Sequence, residues 1–325
     1  MLDDTALLLE RHFDTAFAAP EGVRQLRELI LTLAMQGKLV PQDPTDPPAS
    51  ELLKEIEAEK RRLVKEGKIK KAKQLPEIQP EEVPYEIPIG WEWVRLADLF
   101  PDFQNGLSKR SSKEGIETIV IRLADIKNRD ISLDETRSIE LLEEEVEKYK
   151  LLQNDILITR VNGSVDLVGS FILIGDENNL TYCDHFIRMR FSNNKVDCDF
   201  LRKISFSKLL RKQIASKFIT TAGQKTVNQG HISSLLLPLP PIPEQHRIVA
   251  KIDELMARCD ELEKLRVQRD QQRITVHRAA IARLLDTTTQ PATADFSEAW
   301  QFITHHFGDL YTVKANVAEL RKAIL

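Results

Sequence analysis

The sequence predicts an α+β protein in which one mixed α/β domain is attached to long helices. Three observations carry that expectation. Apolar residues recur at helical spacing near both ends of the chain, and one stretch from Glu244 to Asp286 contains neither Pro nor Gly. Between two proline-rich segments the pattern changes to short β-branched or alternating runs bounded by Gly, Asn or Asp. The 325 residues are 42% hydrophobic, 30% charged and 6% aromatic with 12 Gly, which excludes disorder as the main state and argues against propellers and collagen-like chains.

Residues 1–75 read as an N-terminal helical region. Val23, Leu26, Leu29, Ile30, Leu33 and Ala34 form an amphipathic stripe that Gly37 ends. The proline-rich VPQDPTDPP then breaks the chain, and Ser50 is placed to cap a second helix running to about Glu66. From Lys60 to Lys73 there are eight Lys/Arg against one Glu. Residues 76–241 read as the mixed domain: a proline-punctuated entry, the strand-like runs TIVIRLADI, DILITRV, LVGSFILIG and FIRMRF, an acidic helical stretch from Asp134 to Glu147, and a helix near Asp199 to Lys217. The run LPLPPIP closes that domain. Residues 242–286 read as a long helix with Ile252, Leu255, Cys259, Leu262, Val276 and Ala280 on a seam interrupted by arginines, and 287–325 as a C-terminal helical region. There, His305 to Leu325 aligns without gaps on Arg11 to Leu31, with seven of 21 positions identical, so the tail reads as the start of a second repeat unit.

Forty-six Lys+Arg against 50 Asp+Glu leave a net charge of -4, so contact with nucleic acid requires a local patch. Three cysteines with no CxxC pair fit a reducing cytoplasm, the acidic N-terminus is unlike a signal peptide, and no run approaches the ~18 apolar residues of a membrane span. Phosphate-binding GxxxxGK[ST], dinucleotide-binding GxGxxG and zinc-binding HExxH are all missing, and the spacing of Cys183, His185 and Cys198 fits no structural zinc pattern. Asp46-Pro47-Pro48-Ala49 lacks the aromatic residue of an amino-methyltransferase motif and reads as a loop before a helix. Pro101-Asp102 with Asp125-Ile126-Lys127 formally matches a PD-(D/E)xK nuclease pattern, in which two carboxylates hold Mg²⁺ and the Lys assists water; this is the enzymatic alternative.

Three loops carry the residue types that read DNA. They are Asn105 to Arg110, Thr159 to Ser164 and Gly223 to Asn228, each joining a cation to an amide or hydroxyl and a Gly that lets backbone come close. Arg suits guanine and Asn or Gln suits adenine, so Lys109, Arg110, Arg160, Asn162, Ser164, Gln224, Lys225 and Asn228 are the candidate DNA contacts. Six basic residues without an acid between 202 and 217, among them Arg202, Lys208, Arg211 and Lys212, are candidates for supporting phosphates.

Taken together, LRELILTLAMQGKLVPQDPTDPPASELL, the entry PYEIPIGWEWVRLADL and the exit GQKTVNQGHISSLLLPLPPIPEQHRIVAKIDEL resemble the specificity (S) subunit of Type I restriction-modification systems. The resemblance covers roughly residues 21–285 and is weakest over 100–220. It implies target recognition domains separated by long helices that form an antiparallel coiled-coil-like spacer, each domain reading half of an interrupted double-stranded DNA site. It also implies methyltransferase (M) subunits that bind S-adenosylmethionine and methylate adenine, and a restriction (R) subunit using ATP and Mg²⁺. The S chain itself is implied to be non-catalytic and to hold no cofactor. With one recognition domain and one long helix, this sequence resembles a half-sized S subunit. Two copies pairing through Glu244 to Asp286 would give inverted identical half-sites, while pairing with another S chain would give unlike ones. A truncated remnant without function and a coiled-coil scaffold that does not touch DNA are the other readings.

Overall fold

The computed structural model describes residues 21–67, 75–110, 114–176, 179–191, 195–221, 223–285 and 292–324. Arg11 to Pro20 of the internal repeat and residues 68–73 of the first basic run lie outside them. The chain forms two compact units, residues 1–255 and 256–325, and the long helix belongs partly to each.

In the first unit, α1 (Gly22–Met35) buries Val23, Ile30, Leu31, Ala34 and Met35. The helix α2 (Ala49–Lys65) begins two residues earlier than a Ser50 cap predicts. Ser50 caps nothing here; Pro48 is the extended N-cap residue and the Ala49 N–H donates to the Gly90 carbonyl at 2.8 Å. Strand β1 (Glu92–Arg95) follows the entry segment, then β2 (Asp102–Asn105), β3 (Ile116–Ile121), β4 (Ile126–Lys127), β5 (Asp130–Ile131) and β6 (Ser138–Leu141). The last lies inside the stretch predicted as acidic helix. Ile139 and Leu141 are buried, and this period of two lets the segment pair antiparallel with β3, so the helix α3 (Glu143–Tyr149) starts only afterwards.

The next strands are β7 (Ile156–Thr159), β8 (Val161–Asn162), β9 (Phe171–Leu173), β10 (Leu180–Tyr182) and β11 (Phe186–Arg190). All four residues of β7 are buried, which explains why Ile156-Leu157-Ile158 is continuously apolar rather than alternating. One sheet has the order β2-β11-β7-β9 and a second β10-β3-β6. A core holding Leu157, Ile172 and Phe186 of the first and Val120, Ile121, Ile139, Leu141, Leu180 and Tyr182 of the second joins them. The predicted helix near 199–217 is two helices, α4 (Cys198–Ile204), capped by Asp197, and α5 (Lys208–Ser216), capped by Ser207. Then come β12 (Ile219–Thr221), β13 (Gln224–Thr226), α6 (Gln229–Ser233) and β14 (Leu236–Leu239). The proline run is thus partly strand, with Pro238 opposite Trp93 in a two-stranded β1-β14 pair that tolerates its missing N–H.

The helix α7 (Ile242–Leu285) runs 44 residues, about 66 Å at 1.5 Å per residue. In the second unit its C-terminal part is joined by α8 (Ala292–His305), α9 (Phe307–Leu310) and α10 (Lys314–Ile324). Val276, Ala280, Ala299 and Phe302 line a cavity of about 440 Å³ between α7 and α8. Arg278 pairs with Glu319 at 2.7 Å, and Asn316 donates to the Arg273 carbonyl at 3.3 Å. Of the matched repeat segments, 22–31 and 314–324 are helical, but Val23 is buried whereas its counterpart Val317 is 36% exposed.

Candidate nucleic-acid interface

Two of the sequence-predicted loops, 105–110 and 159–164, meet at the turn Cys183-Asp184-His185 between β10 and β11, and the third, 223–228, pairs with the second. Backbone hydrogen bonds assemble them. Leu107 N–H donates to the Tyr182 carbonyl at 2.9 Å, and Asp184 N–H donates back to Leu107 at 3.0 Å. Gly106 N–H reaches the Phe186 carbonyl at 3.2 Å, and Arg160 N–H reaches that of His185 at 2.7 Å. Val227 N–H donates to the Arg160 carbonyl at 3.0 Å, and β13 pairs with β8 so that Lys225 lies opposite Asn162. Gln229 Nε2 donates to Asn105 Oδ1 at 3.2 Å, closing the ring of loops.

Side chains then place charge. Arg110, 63% exposed, donates from Nη2 to both Asp184 carboxylate oxygens at 3.0 and 3.3 Å, and Arg160 Nη1 points at the Asp184 carbonyl at 3.4 Å. Lys109 pairs with Glu145 at 2.8 Å, which holds that carboxyl below its usual range mainly through this bond. Lys225 Nζ donates to the Gly163 carbonyl at 2.9 Å. Asn162 Oδ1 accepts from Ser164 N–H at 2.9 Å, and Ser164 Oγ from Asp166 N–H at 3.3 Å, so both side chains shape their own loop. Asn228 caps α6 by accepting from His231 N–H at 2.9 Å, and Gln224 is exposed on β13.

The basic segment 202–217 lies elsewhere. Arg202 pairs with Asp199 at 2.7 Å, Lys208 with Glu28 of α1 at 2.8 Å, and buried Lys203 with Asp253 of α7. Arg211 donates to the carbonyls of Val165 and Val168 at 2.6 and 2.8 Å, so it braces the chain just after Ser164, and burial lowers its pKa. Lys212 is exposed.

Asp184 is missed by sequence reasoning, and His185 enters it only beside Cys183 and Cys198, in a spacing that fits no zinc pattern. A Cys-Asp-His turn carries no signal until the strands on either side are paired. Cys183, Asp184 and His185 also offer ligand atoms within 4.8 Å of one another. Two features disfavour a metal there: burial pushes the Cys183 thiol up, so it keeps its proton, and Arg110 already compensates Asp184. The nuclease pattern does not assemble. Asp102 pairs with Arg188, Asp125 is buried on Arg122 at 2.7 Å, and Lys127 turns to Asp134 at 3.7 Å. Among the described residues neither aspartate falls in a group of ligands close enough to hold a metal.

Residues 88–269, more than half of the chain, match the family model of the Type I restriction modification DNA specificity domain. The chain is 36% identical over 312 residues to the Type I restriction enzyme EcoAI specificity subunit of Escherichia coli, covering 94% of this chain and 51% of that protein. It is 32% identical over 275 residues to the EcoEI specificity subunit of Escherichia coli, covering 81% and 45%. The crystal structure of the HsdS subunit from Thermoanaerobacter tengcongensis is similar with a TM-score of 0.47 and 20% identity, over 64% of this chain and 52% of that one. The chain spans about half the length of the curated relatives it matches. By its sequence it belongs to the Type I restriction modification DNA specificity domain family.

Proposed function

We propose that this chain is a DNA sequence-specificity subunit that recognises half of an interrupted double-stranded site and directs adenine methylation and restriction by partner subunits. The observation that carries this reading is the clustering of three cation-bearing, glycine-containing loops, two on the 183–185 turn and the third paired with the second of these. Recognition is assigned to residues 76–241, with Arg110, Arg160, Asn162, Gln224 and Asn228 facing bases and Lys109, Ser164 and Lys225 supporting them. The long helix, Ile242–Leu285, acts as the spacer. Arg202, Lys208, Arg211 and Lys212 serve phosphates only from the flank, since three of the four already hold intramolecular partners. M subunits supply S-adenosylmethionine chemistry, an R subunit supplies ATP- and Mg²⁺-dependent cleavage, and the complex works in the cytoplasm. A second copy of the chain, or another S chain, provides the other half-site.

Modification-sensitive sequencing of a host expressing a cognate adenine methyltransferase, with and without this chain, tests the reading. A new interrupted motif with inverted identical halves is the expected result, and unlike halves would identify a second S chain as partner. No new motif, with the methyltransferase folded, overturns the proposal in favour of a non-functional remnant.

A further inference from the structure

The start of the long helix is held by a buried polar network that the loop geometry does not use. Glu244 and Gln245, in the first turn of α7, are 1% and 0% exposed. Burying such groups costs free energy unless every polar atom is matched, and an apolar pair would fill the same space more cheaply. Here the matching is extensive. Glu244 accepts from Trp91 Nε1 at 2.8 Å and from Gln42 Nε2 at 2.6 Å. Gln245 Nε2 donates to the Pro240 carbonyl at 2.8 Å, while its Oε1 accepts from Asp197 N–H at 3.2 Å. Asp197 in turn caps α4, one turn later Arg247 pairs with Asp46 at 2.6 Å, and Asp253 takes Lys203 of α4.

Three separate stretches of chain are therefore bonded to the first three turns of α7: the loop 42–46, the entry residue Trp91, and the segment 197–203. Apolar packing alone leaves a helix free to roll and slide by small amounts, whereas directional hydrogen bonds on several sides fix its rotation as well as its position. The elements so fixed belong to the same unit as the DNA-facing loops. Successive base pairs along one strand are about 3.4 Å apart, so a small rocking of those loops on the helix moves their footprint by one base pair.

We propose that Glu244 and Gln245 are positioning residues that lock the recognition domain on the spacer helix, and so fix the number of base pairs between half-sites rather than the bases read. The inference rests on the DNA-recognition reading above and on pairing with a second recognition domain. Gln245→Met removes two hydrogen bonds at similar volume, and Lys203→Met cuts the clasp at an independent point. Each variant is co-expressed with the methyltransferase and its methylated sites are sequenced, with thermal denaturation of the purified chain as the folding control.

The expected result is that wild type methylates sites of a single spacer length. Either folded variant should keep the same half-site bases and additionally methylate sites one base pair longer or shorter. Arg160→Ala in the same assay should do the reverse, changing a base preference and not the spacer. Folded variants that retain the single wild-type spacer overturn the inference, as does a wild-type motif with no spacer, which leaves DNA recognition standing. Absence of any wild-type motif overturns the functional reading and this inference with it. If Gln245→Met does not fold, Lys203→Met decides between the same outcomes.

Discussion

Gly106 shows how tightly the loops are drawn together at single residues. A Cβ at this position would lie 2.1 Å from the Cys183 carbonyl oxygen and 2.5 Å from its carbon, both backbone atoms of the turn on which the loops converge. The obstacle cannot rotate away, so Gly106→Ala must push the 105–110 loop off the strand. An overpacking substitution of this kind costs about 2 kcal/mol. Thermal denaturation should show a fall in Tm, and methylation of the target should fall further than stability does, because the displaced segment carries Lys109 and Arg110. A variant that is destabilised yet methylates its sites with unchanged preference would separate the loop from recognition. The neighbouring Asp184 acts in the opposite sense: its carboxylate draws the exposed Arg110 guanidinium into one geometry, so less side-chain entropy remains to be lost on binding.

At the level of elements, His277 gives the second unit a titration. Its side chain is buried on α7, with Nδ1 facing the Tyr311 hydroxyl at 3.2 Å and Nε2 without a hydrogen bond, although the Glu319 carboxylate stands 3.8 Å away. Burial lowers its pKa, Arg278 adds to that, and Glu319 opposes it. The unfolded imidazole protonates near its ordinary value of about 6.5, while the folded one resists until lower pH. Stability is therefore complete above about 6.5 and is lost as pH falls from there through the folded pKa. His277→Gln should flatten the change in Tm between pH 7.5 and 5.5; an equally steep variant would place the titration elsewhere.

The elements also show what one chain segment reveals about itself. The long helix and α1 were readable because a 3.6-residue period needs only neighbours, and because Pro and Gly are missing from Glu244 to Asp286. Strand β6 was not, since Glu140 and the acids after it mask the two inward residues Ile139 and Leu141. The proline run hid β14 because its pairing with β1 joins residues more than 140 positions apart. The loops are recognisable by composition, but their clustering beside Asp184 depends on strand pairings that no local pattern encodes. The same distance hid the clasp: E-Q-x-R looks like an ordinary first helical turn until Gln42, Trp91 and Asp197 are folded against it.

For the whole molecule, a net charge of -4 means that attraction to DNA cannot come from the overall field and must come from a local surface. That requirement distinguishes two kinds of cation among the loops. Lys225 has one proton engaged by the Gly163 carbonyl and keeps two further donors, so it suits a phosphate, whereas Arg160 sits at the junction of two loops with its guanidinium loosely held at 3.4 Å. Measured on the complex assembled with its methyltransferase, Lys225→Ala should weaken binding to all sequences alike and reduce the slope of log affinity against log salt by about 1. Arg160→Ala should cost ~1–3 kcal/mol on the preferred site, relax the preference at one position and leave binding to unrelated DNA nearly unchanged. If both variants lowered the salt slope equally without altering sequence preference, Arg160 would be a phosphate contact and base reading would fall to Asn162, Gln224 and Asn228. If neither changed binding, the convergent loops would not be the surface that meets DNA.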